Sequence, residues 1–250
     1  MQDYTVKNLG FTLKLAQTID ELTQAQELRY KYLLLSFNAT RTDILTDNCE
    51  QDKYCDHLIV IDDNSGKVVG TYRLLTHCNC VKYNIDYFTK LEFNLGKIYH
   101  EQNIMEVGRA VVHPDYRNSI VLKLLWTGLM EYSKYYGIRY LFGTASYHSQ
   151  DVELYKNSLS NFYYNNLVSP QFLVDALYPS FALPRLARQD IDLQKAKQET
   201  PPLIRAYAAL GAKISNQVYI DSVFNCIDIF ILFDLDNMNR PLLKRMFGIE

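Results

Sequence analysis

Apolar positions recur along this chain with two periods, and the switching between them lays out its elements. Phe11 to Leu15 alternates with period two, as a half-buried strand does. Thr18 stands three residues before Glu21, the spacing of a capping box. Leu22, Ala25, Leu28 and Tyr32 then follow at helical spacing. Asp43 to Tyr54 is polar and reads as loop. His57 to Ile61 and Val68 to Thr76 are strand-like runs on either side of Asp62-Asp63-Asn64-Ser65-Gly66, which predicts a hairpin. Thr76 to Asn103 is irregular. Ile104 to Val112 returns to a β-branched apolar run and ends in the turn His113-Pro114-Asp115. A helix over Ile120 to Tyr136 follows, closed by Gly137 at its C′ position, and then a strand over Ile138 to Ala145.

Beyond Asp151 the pattern loosens. Residues 151–200 read as helical and loop-rich, with an aromatic patch at Phe162-Tyr163-Tyr164 and a charged stretch from Arg185 to Glu199. Pro201-Pro202 ends this stretch. Leu203 to Leu210 reads as a short helix stopped by Gly211, and strands are expected near Lys213 to Ile220 and Ile227 to Phe233. No internal repeat or low-complexity linker interrupts the chain. The expectation is one α/β domain over residues 1–250, a mixed sheet flanked by helices, with a helical insertion at about 151–200.

Composition narrows the function class. The chain has 250 residues, 48% of them hydrophobic and 22% charged, an ordinary globular balance able to bury a sizeable core. A net charge of −2 argues against a nucleic-acid binder. No apolar run approaches the ~20 residues of a membrane span. Met1 to Lys7 is polar, which disfavours a secretory signal. The five cysteines, Cys49, Cys55, Cys78, Cys80 and Cys226, are irregularly spaced and read as reduced thiols in the cytoplasm. His77-Cys78-Asn79-Cys80 lacks the second ligand pair of a structural zinc module, so no metal is expected.

Four fragments set polar residues in strand-like surroundings: Cys55-Asp56-His57-Leu58, Gly70-Thr71-Tyr72-Arg73-Leu74-Leu75, Met105-Glu106-Val107-Gly108-Arg109 and Tyr140 to Ser146. A charge on a half-buried strand is costly unless paired, so Asp56, Arg73, Glu106 and Arg109 are expected to satisfy one another across neighbouring strands. Such a network is either purely structural or a catalytic site. Arg117 lies between the His-Pro-Asp turn and the Ile120 helix, where helix-start N–H groups and dipole favour an anion such as phosphate.

These fragments, in this order, resemble the GNAT-fold N-acyltransferases that take their acyl group from acyl-carrier protein, and most of all the ornithine-lipid branch. That branch is similar to N-acyl amino acid synthases and acyl-homoserine-lactone synthases. Leu124-Leu125-Trp126-Thr127-Gly128, Pro201 to Tyr207, Asp221 and Phe224-Asn225 extend the likeness, which covers roughly Leu28 to Asp234. The resemblance implies Glu106 and Arg109 as catalytic residues, and Asp56, Arg73 and Ser146 as acceptor-binding. It places Arg117, Asn118 and Ser119 on the donor's phosphopantetheine. It also implies acyl-carrier protein, or acyl-CoA, as co-substrate and no bound cofactor. Asn118-Ser119-Ile120 stands where the superfamily's phosphate loop carries glycines, a departure that suits a single phosphate better than a pyrophosphate.

In the chemistry so implied, Glu106 removes a proton from the acceptor's α-amine, and strand N–H groups at a bulge receive the oxyanion. Burial would raise the Glu106 pKa, while Arg73 and Arg109 oppose that shift. His57 and His113 have structural readings. Other acceptors such as glycine, an acyl-homoserine-lactone-type signal synthase, and a non-enzymatic acyl-binding or interaction protein are the alternatives. Gln171 to Val174 and Tyr178 to Leu183, followed by Arg185 and Arg188, suit either peripheral contact with the inner face of the membrane or a cap on the acyl tunnel.

Overall fold

The first helix starts where its capping box predicts. Glu21 N–H donates to the Thr18 hydroxyl at 3.2 Å, and the Glu21 carboxylate accepts from the Thr18 and Gln17 N–H groups. This structure, a computed structural model, describes residues 1, 4–37, 45–117 and 120–249. Strands β1 (Thr5–Asn8) and β2 (Phe11–Leu15) precede α1 (Ile19–Arg29). Next come β3 (Asp56–Asp62), β4 (Lys67–Thr76), α2 (His77–Tyr83), β5 (Phe93–Asn94), β6 (Ile104–Val112), α3 (Ile120–Tyr135) and β7 (Tyr140–Tyr147). After these, α4 (Lys156–Asn165), β8 (Asp175–Ala176), β9 (Ser180–Ala182), α5 (Leu193–Glu199) and α6 (Pro202–Leu210) lead to β10 (Lys213–Asp221), β11 (Cys226–Asp234) and α7 (Arg240–Phe247).

The chain gathers into two compact units. In the first (Met1–Ile85, Met105–Arg139 and Leu243–Glu250), β1, β2, β3, β4 and β6 pair antiparallel in that order. Successive side chains point to opposite faces of such a sheet. On one face, Ala25 and Leu28 of α1 pack with Ile59, Val68 and Val111. On the other, α3 lies so close that a Cβ on Gly70 would stand 2.6 Å from Val121 Cγ1, and one on Gly128 would stand 2.8 Å from Leu58. α3 ends as expected: Gly137 takes φ +64°, Ile138 N–H donates to the Ser133 carbonyl and Gly137 N–H to that of Lys134.

The second unit (Asp86–Ile104 and Tyr140–Leu242) builds β7, β11, β10 and β9 into an antiparallel sheet with β9 outermost. Phe93 and Phe142 both pack against Phe230 in its core. The segment expected to be a helical insertion does hold α4 and α5, which the Ser158–Thr200 hydroxyl pair joins at 2.6 Å. It also contains strand: β8 pairs with β5, and β9 adds an edge to β10. Pieces of two and three residues are too short to show a period, so the pattern could not reveal them. The same reason hides β5, whereas α2 has a legible start, since the Thr76 hydroxyl accepts from Asn79 N–H.

Gly70 is where the α3 face leaves no room. Val121 is a stiff β-branched residue, so Gly70→Ala should force it or the strand to move and lower stability by about 1–3 kcal/mol. Urea unfolding measures this; an unchanged midpoint would mean that α3 rides farther from β4 than described.

Candidate active site

Strand alternation sorts the polar residues of β3, β4 and β6. His57 lies opposite Arg73, and Arg73 opposite Gly108, while Leu75 faces Glu106. His57, Arg73 and Glu106 therefore share the face that α1 covers. Asp56, one residue earlier, points to the α3 face and accepts a hydrogen bond from the Tyr132 hydroxyl at 2.6 Å. The structure thus separates Asp56 from the arginines it was expected to join. The cause is the two-residue period of β3.

In a regular strand Arg109, three residues after Glu106, would also point away. It does not. Between Thr71–Val111 and Arg73–Gly108 the pairing shifts, and Arg109-Ala110 bulge out opposite Tyr72. Arg109 takes φ +52°, a left-handed conformation rare outside glycine and Asn or Asp. A bulge re-aims side chains and breaks the ladder locally. Here Arg109 Nε reaches Asp47 at 2.7 Å.

Asp47 is shared. The same oxygen, Oδ2, accepts from Arg29 Nε at 2.9 Å, and the Asp47 carbonyl accepts from Arg29 Nη2. Arg29 Nη2 also donates to Asp52 Oδ2 at 2.6 Å, and the other Asp52 oxygen receives Arg73 Nη1 at 3.3 Å. Gln26 completes the shell of Asp52 with a 3.0 Å hydrogen bond. The chain of pairs runs Arg109–Asp47–Arg29–Asp52–Arg73, with Arg29 wholly buried and Glu106 only 5% exposed. Glu106 and Asp52 both stabilise the Arg73 cation; burial, the largest influence, and Arg109 work against it. Among the described residues three guanidinium groups thus meet three carboxylates, a balance that holds when Glu106 is ionised.

Burial alone would raise the pKa of Asp52, but Arg29 and Arg73 outweigh it and hold the carboxyl well below the ordinary range. His57 is depressed, first by burial and further by Arg29 and Arg73. Its Nε2–H donates to the Asp52 carbonyl at 3.0 Å, leaving Nδ1 to accept from Arg29 at 3.4 Å; these partners assign the neutral Nε2–H tautomer. Burial pushes the Cys55 thiol far up, so it is no thiolate nucleophile.

The remaining expected residues lie elsewhere. Arg117 is exposed at the end of a 3₁₀ turn (Pro114–Tyr116) ahead of α3, its Nε donating to the Val112 carbonyl at 3.4 Å. Asn118 and Ser119 lie outside the described residues. Ser146 belongs to the second unit and donates to Asp228, beside Cys226 and Asp221. Sequence reasoning missed Arg29, Asp47 and Asp52. Arg29 had a signal: it follows Ala25 by four residues and so falls on the apolar stripe of α1, where an unpaired charge is untenable. Asp47 and Asp52 sat in a stretch read simply as polar loop.

The network has a pH signature. His57 and Asp52 both have lowered folded-state pKa values, so each contributes stability that is present above its unfolded value and lost as pH falls. Stability should therefore decline below about pH 6.5 as His57 protonates in the unfolded chain, and steepen below about pH 4 as Asp52 follows. Denaturant titrations across pH measure it. His57→Gln should flatten the upper limb only, and an unchanged slope there would count against a neutral buried His57.

Residues 28–127 match the family model described as acetyltransferase (GNAT) domain. The chain is 28% identical over 242 residues to an L-ornithine N(alpha)-acyltransferase of Rhodobacter capsulatus, covering 93% of each protein. It is 29% identical to the L-ornithine N(alpha)-acyltransferase of Rhizobium meliloti, covering 92% of this chain and 82% of that one. Among solved structures it resembles the CoA-dependent acyl-homoserine lactone synthase MesI, with TM-score 0.50 and 15% identity over 92% of this chain and 88% of that chain, a likeness of fold. The chain thus has the GNAT fold, with the matched domain over residues 28–127, and is similar along nearly its whole length to L-ornithine N(alpha)-acyltransferases.

Proposed function

We propose that this enzyme transfers a fatty acyl group, in the first place a 3-hydroxyacyl group, from acyl-carrier protein to the α-amine of ornithine, forming a lyso-ornithine lipid. The near full-length similarity to L-ornithine N(alpha)-acyltransferases supports the acceptor and the bond formed. The observation that carries the reaction is Glu106, buried on β6 three residues before the bulge and electrostatically coupled to Arg73.

An α-amino group titrates near ~8, so at neutral pH the acceptor arrives mostly as an ammonium ion. Glu106 takes that proton, directly or through one water, and the freed amine attacks the thioester carbon. Backbone N–H groups of β6 at the bulge receive the developing oxyanion, and the pantetheine thiol leaves as the amide forms. Ionised Glu106 fits the charge balance described above, and a base must be ionised to work. Arg73, buried, is a positioning residue whose cation is electrostatically coupled to Glu106. Arg109, its side chain 29% exposed, is the better placed of the two to grip the acceptor carboxylate. Arg117, with residues 118 and 119, is assigned to the donor's phosphopantetheine phosphate.

Mass spectrometry of lipids from cells expressing the chain should reveal an N-acylated ornithine. Glu106→Gln keeps the shape and removes the basicity, and should cut acyl transfer by roughly 10²–10⁴-fold while donor binding holds. Near wild-type turnover by that variant would make Glu106 structural. Arg117→Ala should weaken use of acyl-carrier protein, an acidic partner, with unaltered thermal stability and with a loss that grows less visible at high salt. Identical kinetics in the variant and across salt would remove Arg117 from the donor site.

A further inference from the structure

The second unit carries an apolar surface that its own core does not use. β9, three residues long, is the outermost strand of its sheet, paired only with β10 among the described residues. Phe181 on this strand is 57% exposed and Tyr178, just before it, is 93% exposed. Leu173 and Leu177 on the same stretch are also exposed. Leu177 N–H donates to the Glu92 carbonyl at 2.7 Å, and Leu91, the residue before Glu92, is exposed. Ile220 N–H donates to the Pro179 carbonyl at 2.9 Å and ties the bend to the β10–β11 hairpin, whose tip exposes Val223. Single exposed apolar residues need no explanation, but a cluster of them marks a surface that is covered in use.

The charges beside this surface indicate what covers it. The chain leaves β9 through Arg185 and Arg188, both exposed. The Arg185 guanidinium sits 4.5 Å from the centre of the Tyr163 ring and that of Arg188 4.7 Å from Tyr164. Cation–π seating holds both positive groups on successive rings of α4, whose Ser160 hydroxyl donates to the Pro184 carbonyl just beyond β9 at 3.0 Å. The exposed acids nearby in the chain are Asp175 on β8 and, beyond Arg188, Asp190 and Asp192. A second copy of the chain meeting this patch across a two-fold axis would set the arginine pairs near each other, and the short β9 offers it little backbone to pair with. An anionic bilayer has the opposite properties, giving acyl chains for Tyr178 and Phe181 and phosphate headgroups for Arg185 and Arg188.

We propose that the edge formed by Leu91, Leu177, Tyr178 and Phe181, with Arg185 and Arg188, docks the enzyme on an anionic lipid surface. The usefulness of such docking rests on the lipid-product reading above, because an N-acylated amino acid is an amphiphile that must leave for a membrane.

The test is flotation of the full-length protein with vesicles of phosphatidylglycerol and phosphatidylcholine. Wild-type protein should float at low salt, and less with pure phosphatidylcholine or at high salt. The pair Tyr178→Ser and Phe181→Ser should lose about tenfold in apparent lipid affinity. Both positions are exposed, so its melting temperature and its acyl transfer in lipid-free solution should be retained. Wild-type protein that stays at the bottom of the gradient, or a double variant that floats equally well, overturns the proposal. So does a concentration-dependent dimer that the double variant abolishes while vesicles bind neither protein. If flotation fails while ornithine is acylated, only the membrane surface falls; if flotation succeeds without ornithine acylation, only the acceptor assignment falls.

Discussion

Three strands and a helix of the first unit are held in register by one wholly buried guanidinium. Arg29 comes at the end of α1, immediately before the backbone widens into a π-helical turn over Tyr30–Leu34. It donates to Asp47 and Asp52, and those acids in turn hold Arg109 on β6 and Arg73 on β4. Desolvating a charge costs several kcal/mol per ion unless partners replace the water, so every member of the network depends on the others. A helix that slid by one turn would leave Arg29 unpaired in the core. Residues 45–55, ahead of β3, are thereby tied to α1, β4 and β6 through Asp47 and Asp52.

That arrangement also explains why strain is tolerated beside the candidate base. A left-handed arginine in a strand is disfavoured by of order 1 kcal/mol or more. The Asp47 contact is available to Arg109 because the bulge turns its side chain to the α1 face, so the ion pair and the irregular backbone stabilise each other. The same irregularity interrupts the β4–β6 ladder three residues after Glu106, where the proposed chemistry needs backbone donors aimed at a ligand. One feature thus serves packing and, in the proposed reaction, the binding of the oxyanion.

The second unit handles its polar groups differently. Ser146, Cys226 and Asp228 bond to one another on β7 and β11, and burial, with Asp228 and Asp221 adding to it, keeps the Cys226 thiol protonated. Tyr147, Ser158 and Thr200 form a second buried hydroxyl cluster that ties α4 and α5 to the sheet. Hydroxyl and thiol donors build these clusters, whereas guanidinium–carboxylate pairs dominate around Arg29.

Much of this was legible in the residues. The Thr18–Glu21 box, the Asp62 to Gly66 turn, the helix stops at Gly137 and Gly211, and the strands carrying Arg73 and Glu106 all follow from local propensity and period, which act over a few residues. Glu106 could be nominated because an acid in an apolar strand is costly without a purpose. What the residues could not disclose is who meets whom. Asp56 and His57 are neighbours in sequence yet lie on opposite faces, because strand side chains alternate. Arg109 joins Glu106 only through a bulge that no spacing announces. Asp47 and Asp52 join the candidate site through Arg29, 18 and 23 residues away along the chain, and through Arg109 and Arg73 on the neighbouring strands. Local chemistry determined the elements and the candidate base. Long-range electrostatic pairing, which is settled only when the chain is packed, decided the composition of the site.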